Sequence, residues 1–193
     1  MLIYAHRGAS VDFPEGSKAA YEAAISQGAD GFECDVRLTK DQQIICYHDA
    51  NTKRLTGVDL EVGKTDLAEL KKVANPYLFT ELLDLAIKNK KHLAIETKHP
   101  APTGGLIESE LHKILNQRKD EIKASGINIS IMSFSWFATQ RNIRAGFETV
   151  YLFAEPLLIN LNTAGVVGPA LQIIKNNPDF VKQQKIKGRR VFV

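Results

Sequence analysis

Along the chain, short apolar runs rich in β-branched residues alternate with amphipathic stretches, and turn residues separate the two. The runs predict strands at 2–5, 31–38, 44–47, 93–96, 127–133, 149–153, 164–167 and 190–193. The amphipathic stretches predict helices at 17–27, 66–73, 80–89, 106–123, 136–145 and 170–185. Gly28 and Gly146 stand where a helix C-terminal glycine is expected. Strands that alternate with helices form parallel βα units, which means a barrel or a doubly wound sheet.

One connection breaks this alternation. Residues 39–43 alone separate the second and third predicted strands, far too few for a parallel crossover, so these two runs form an antiparallel hairpin. A two-residue loop at 41–42 or at 40–41 puts Glu33, Asp35 and His48 on one face. A three-residue loop would take His48 off that face, and Gln42 is a poor residue for the 41–42 turn.

The candidate chemistry gathers around this hairpin. His6 and Arg7 end the first predicted strand, and reactive groups of α/β barrels sit at strand C-termini. Glu33 and Asp35, two positions apart on one strand, repel each other, and a bound cation is the usual compensation. Glu96 adds a third carboxylate, and Lys98 points the same way. Three carboxylates favour a hard cation, Mg²⁺ or Ca²⁺. Two imidazoles can share general acid and general base roles, while Arg7 and Lys98 can neutralise a phosphoryl group. A phosphodiester uses all of these groups.

Composition narrows the setting. The 193 residues suffice for one well-buried domain, here a single barrel spanning 1–193 with a small insertion at about 49–78. The formal net charge of +3 gives no sign of nucleic-acid binding, and the cluster Lys182, Lys185, Lys187, Arg189, Arg190 reads as a solvated helix end. No apolar run spans a bilayer and the N-terminus has no signal-peptide pattern, so the expected location is the cytoplasm. Cys34 and Cys46 match no zinc spacing and read as small, reduced strand residues. His92, His99 and His112 read as surface residues, and Trp136 and Phe137 as core.

The motifs His6-Arg7-Gly8-Ala9, Pro14-Glu15, Gly28 to Val36, Thr39-Lys40-Asp41 and His48-Asp49 resemble the glycerophosphodiester phosphodiesterase family. So do Arg54-Leu55-Thr56-Gly57, the segment 65–70, Glu96-Thr97-Lys98 and Ser133-Phe134. The resemblance implies a (β/α)₈ TIM-type barrel of the phospholipase C-like kind, with an antiparallel hairpin after strand 2. It implies hydrolysis of glycerophosphodiesters to sn-glycerol 3-phosphate and an alcohol, in lipid and glycerol metabolism. It makes Glu33, Asp35 and Glu96 ligands of a divalent cation, His6 and His48 the acid/base pair, and Arg7 and Lys98 the phosphate contacts, with Glu15 in a lesser role.

Two departures from the family pattern stand out. Pro14-Glu15-Gly16-Ser17 replaces Pro-Glu-Asn-Thr, with Ser17 still able to cap a helix. The sequence also stops at Val193, where the family continues to a closing strand. The expectation is a truncated form of a longer protein, or a homo-oligomer in which a second chain covers the open barrel edge. Two other functions stay open at this point. One is a barrel phospholipase D acting on lysolipids; the other is a catalytically dead binding module of the same fold.

Overall fold

Ser17 opens the first helix by accepting a hydrogen bond from the Ala20 amide at 3.2 Å, and Gly28, at φ 83°, follows its C-terminus. The computed structural model describes residues 2–155, 159 and 162–193. They fall into two compact units, Met1–Ile129 and Ser130–Val193.

In the first unit β1 (Tyr4–His6), α1 (Lys18–Ser26), β2 (Gly31–Leu38) and β3 (Ile44–Cys46) are followed by a segment that holds α2 (Lys53–Thr56), a 3-10 turn (Val62–Lys64) and α3 (Leu67–Val73). Then come β4 (Tyr77–Leu78), α4 (Phe79–Asn89), β5 (His92–Thr97), α5 (Leu106–Gln117) and α6 (Lys119–Ser125). Strand β2 is the centre of this unit: it pairs in parallel with β1 and β5 and antiparallel with β3. Its alternation sends Phe32, Cys34 and Val36 into a fully buried layer with Tyr21, Leu93 and Ile95. The opposite face carries Glu33 and Asp35. Cys34 and Cys46 are buried and unbridged, as expected.

In the second unit β6 (Ile129–Ser133), α7 (Trp136–Arg144), β7 (Thr149–Phe153), β8 (Val166–Pro169), α8 (Leu171–Asn176), α9 (Phe180–Ile186) and β9 (Arg190–Val191) continue the alternation. Strands β6, β7, β8 and β9 pair in parallel in that order. Tyr151, Phe153, Val167 and Phe180 form the core of the unit. Trp136 packs against it, but Phe137 is 69% exposed, which corrects its reading as a core residue.

Three expectations change. The predicted helix at 106–123 is two helices that break at Arg118, where Glu121 in the first turn of α6 receives the guanidinium. The predicted helix at 170–185 is also two, because Pro178 cannot donate to a helical ladder and drives Asn177 to φ −137°, ψ 85°. The third change is the hairpin. Val36 pairs with Cys46 and Leu38 with Ile44, so the loop has three residues, Lys40-Asp41-Gln42, not two. Thr39 and Asp41 supply the stabilisation: the Thr39 hydroxyl donates to Asp41 at 2.6 Å and accepts from the Gln43 amide at 2.9 Å, while Asp41 also accepts from the Leu67 amide at 2.9 Å. Gln42 takes the left-handed position at φ 61°.

That position makes a prediction. Gln42 is exposed and sits where glycine is unstrained. Relief of a left-handed strain of about 1–2 kcal/mol, less the extra chain entropy of glycine at about 0.5–1 kcal/mol, should leave Gln42→Gly more stable by up to about 1.5 kcal/mol. Chemical denaturation reads this directly, and a destabilised variant would contradict the loop assignment.

Candidate active site

The site is built by strand register. His6 pairs with Glu33 across β1 and β2, and Asp35 pairs with Glu96 across β2 and β5, so parallel neighbours place all four side chains on one face. Ligand oxygens of Glu33, Asp35 and Glu96 all lie within 4.8 Å of one another, and all three residues are buried. Lys98 follows β5 and reaches back, with Nζ 2.7 Å from Glu96 and 3.3 Å from Asp35.

Arg7 enters from the other side. Directly after β1 the chain turns sharply, with Arg7 at φ 58° and Gly8 at φ 79°. A Cβ on Gly8 would lie 2.6 Å from the Ala20 backbone, so only glycine allows the turn to pack on α1. The Arg7 amide donates to the Glu33 carboxylate at 3.1 Å. Its guanidinium Nε lies 2.7 Å from Asp35, and Nη1 lies 3.2 Å from Glu15.

His48 is delivered by a different route from the one expected. In the three-residue register Tyr47, not His48, follows as the residue opposite Asp35, and its amide donates to the Asp35 carbonyl at 2.9 Å. Strand β3 has ended at Cys46 by then, and the chain leaves the sheet. Arg37 donates to the His48 carbonyl at 2.9 Å, and His48 lines one pocket with Arg7, Glu15, Asp35 and Tyr47.

Electrostatics follow from burial. Glu33 is pushed up to about 8, first by desolvation and then by Asp35 and Glu96. Glu96 is raised by desolvation, with Lys98 opposing. His6, whose Nε2 lies 3.8 Å from Glu33, is held below its ordinary value by desolvation and by Arg7. Glu15 is lowered by its hydrogen bond from Arg54. For Asp49 burial works upward, but hydrogen bonds from Arg54 and His48 win and keep it below the usual carboxylate range.

The residues fit a divalent cation. Asp35 is 3% exposed, and despite the two ion pairs neither of its carboxylate oxygens accepts a hydrogen bond among the described residues. Buried oxygens with unused lone pairs, flanked by two more carboxylates, are the donor set of a hard cation.

Two neighbours of the site were given no role from sequence. Asp49 accepts from His48 Nδ1 at 2.6 Å, and Arg54 binds both Asp49 and Glu15 at 2.5 Å. Both lie in motifs visible in the sequence, His48-Asp49 and Arg54-Leu55-Thr56-Gly57, but nothing in the spacing pairs them. His99, read as a surface residue, is instead paired at 2.7 Å with the buried Glu108. His92 accepts from the Asn128 amide at 3.0 Å, which is a structural role.

Comparison with known proteins bears on the family and the fold. The chain is 34% identical to the Mycobacterium tuberculosis protein named "Probable glycerophosphodiester phosphodiesterase 1", over 99% of this chain and 80% of that one. Its fold matches a Thermotoga maritima glycerophosphodiester phosphodiesterase with TM-score 0.82 at 24% identity, covering 100% of this chain and 85% of that one. It also matches an Oleispira antarctica phosphodiesterase solved with the product sn-glycerol-3-phosphate, with TM-score 0.74 at 21% identity, covering 100% and 84%. Both neighbours establish the fold, a set of parallel strands flanked by helices like that of TIM barrels of this class. The family model for the glycerophosphoryl diester phosphodiesterase family matches residues 6–193, and the chain belongs to that family of hydrolases.

Proposed function

We propose that this chain hydrolyses glycerophosphodiesters to sn-glycerol 3-phosphate and an alcohol, with His6 and His48 as the acid/base pair and a divalent cation, Mg²⁺ or Ca²⁺, held by Glu33, Asp35 and Glu96. One observation carries the reading: three buried carboxylates converge within 4.8 Å at a site bordered by two histidines, an arginine and a lysine. The product seen in the Oleispira antarctica neighbour supports the substrate class. A cation bound to the triad would polarise the phosphorus.

The remaining work falls to the chain. Arg7 and Lys98 carry fixed positive charge beside the triad and bind the non-bridging phosphoryl oxygens, where negative charge grows as the reaction proceeds. His6 has one nitrogen 3.8 Å from Glu33 and a pKa held below its ordinary value, so near neutral pH it is largely uncharged and suited to take a proton. His48 gives or takes a proton through Nε2, because its Nδ1 faces the Asp49 carboxylate. One histidine activates the nucleophile, either water or the glycerol 2-hydroxyl, and the other protonates the departing alkoxide. Glu15 fixes the Arg7 guanidinium from the side away from Asp35.

Proton and cation compete for the triad. Glu33 ionises only near pH 8 in the cation-free protein, so cation binding releases a proton, and affinity should fall by up to tenfold per pH unit below that value. The cation-free fold has the opposite dependence. The raised carboxylate binds more protons folded than unfolded between about pH 4.5 and about pH 8, so stability declines as pH rises through that window. Calorimetric titration of Mg²⁺ and Ca²⁺ at pH 6, 7 and 8 tests this, and a pH-independent affinity would remove Glu33 from the ligand set. EDTA should abolish turnover of glycerophosphocholine, with recovery on addition of the cation.

His6→Ala and His48→Ala should each lower kcat about 10²–10⁴-fold with the melting temperature retained. A variant that keeps more than about a tenth of wild-type turnover would strip that histidine of its role. Assays on glycerophosphocholine, -ethanolamine, -glycerol and -inositol, beside a lysolipid, define the leaving alcohol.

A further inference from the structure

The segment between β3 and β4 is knitted around one buried hydroxyl. Thr52 is fully buried; its Oγ1 donates to the Val58 carbonyl at 2.6 Å and accepts from the Leu60 amide at 3.2 Å, while its own amide donates to the Leu60 carbonyl at 3.0 Å. The Asn51 side chain takes the Lys53 amide at 3.1 Å, and Gly57 closes the single turn of α2 at φ 77°. These bonds make a stiff platform, and Arg54 projects from it.

The Arg54 guanidinium bridges two carboxylates from separate parts of the chain. Nε meets Asp49 at 2.5 Å, while Nη2 and Nη1 meet Glu15 at 2.5 and 3.2 Å. Glu15 in turn holds Arg7. Asp49 uses Oδ2 for Arg54 and Oδ1 for His48 Nδ1, so each oxygen has one partner. The backbone of His48 is fixed independently, through its carbonyl and Arg37.

We infer that Arg54 is a positioning residue for the acid/base histidine: anchored by Glu15, it fixes the Asp49 carboxylate so that Asp49 orients the His48 ring and keeps its Nδ1 protonated. A carboxylate can only accept, so the neutral ring carries its proton on Nδ1 and turns an unprotonated Nε2 away from Asp49. Without Arg54, Asp49 can rotate away, and both tautomers and both ring orientations become available. An error of about 1 Å in a reacting group costs up to ~10²-fold in rate. Lysine cannot replace this arginine, because a point charge cannot match two carboxylates through a planar fork. The inference rests on the acid/base role proposed above for His48.

The test is a mutant cycle on the full chain with Mg²⁺ or Ca²⁺ and glycerophosphocholine. Arg54→Ala and Asp49→Asn should each lower kcat about 10–100-fold with KM changed less than about threefold, and Arg54→Lys should recover only a small part of the loss. In a His48→Ala background, adding Arg54→Ala should cost less than about threefold more. The ¹⁵N chemical shifts of His48 give a readout apart from activity: they should report a single Nδ1-protonated tautomer in wild type and a mixture in Arg54→Ala, with melting temperatures unchanged. If His48→Ala keeps more than about a tenth of the activity, the acid/base reading itself fails. If His48→Ala is inactive but Arg54→Ala turns over within about twofold of wild type, keeps one tautomer, or costs the same on both backgrounds, the positioning role is overturned.

Discussion

Three carboxylates on adjacent strands, buried within 4.8 Å of one another, are the constraint around which the rest of the first unit is arranged. Full charges about 5 Å apart repel by roughly 3–4 kcal/mol per pair at an effective dielectric of about 20. No fold keeps that arrangement without compensation. Here it has three forms: Lys98 beside Glu96 and Asp35, Arg7 against Asp35, and a proton retained on Glu33 up to about pH 8. The strained left-handed turn at Arg7, and the glycine after it that lets the turn lie on α1, are local consequences of delivering the arginine to that point.

Much of this was legible in the sequence because strand periodicity is a strong code. Once 31–38 reads as a strand, Glu33 and Asp35 share a face. Parallel neighbours ending in His6 and Glu96 then fall into register beside them. The errors came where short-range side-chain chemistry outweighs pattern. Thr39 and Asp41 hold the hairpin loop open by one residue, and Gln42 accepts a left-handed backbone that its residue type does not advertise. Pro178 did announce the helix break, and periodicity on both sides masked it. Asp49 and Arg54 carry no signal of partnership in spacing alone, since the bond joins a loop to the single turn of α2 and reaches Glu15 from 39 residues away.

The hairpin shows how a site can tolerate an unexpected register. A one-residue change flips a regular strand face to face, yet His48 reaches the pocket because β3 has already ended at Cys46. Arg37 and Asp49, not the ladder, then decide where the ring goes. Sheet register therefore fixes the carboxylates, and side-chain hydrogen bonds fix the histidine. The two are joined through Arg54, Glu15 and Arg7, the last of which pairs with Asp35 of the triad.

The same charge accounting links binding to chemistry. Without a cation, Arg7, Lys98 and the proton on Glu33 offset the three carboxylates, and the centre is close to neutral. On the proposed reading Glu33, Asp35 and Glu96 would hold a divalent cation, with Glu33 giving up its proton. Arg7 and Lys98 would then no longer be needed to hold the triad together, and the centre would carry a net single positive charge. A phosphodiester carries one negative charge. The arginine and lysine that offset the carboxylates in the cation-free fold would thereby become free to bind substrate, so one pair of residues would serve both states without a large movement of the backbone.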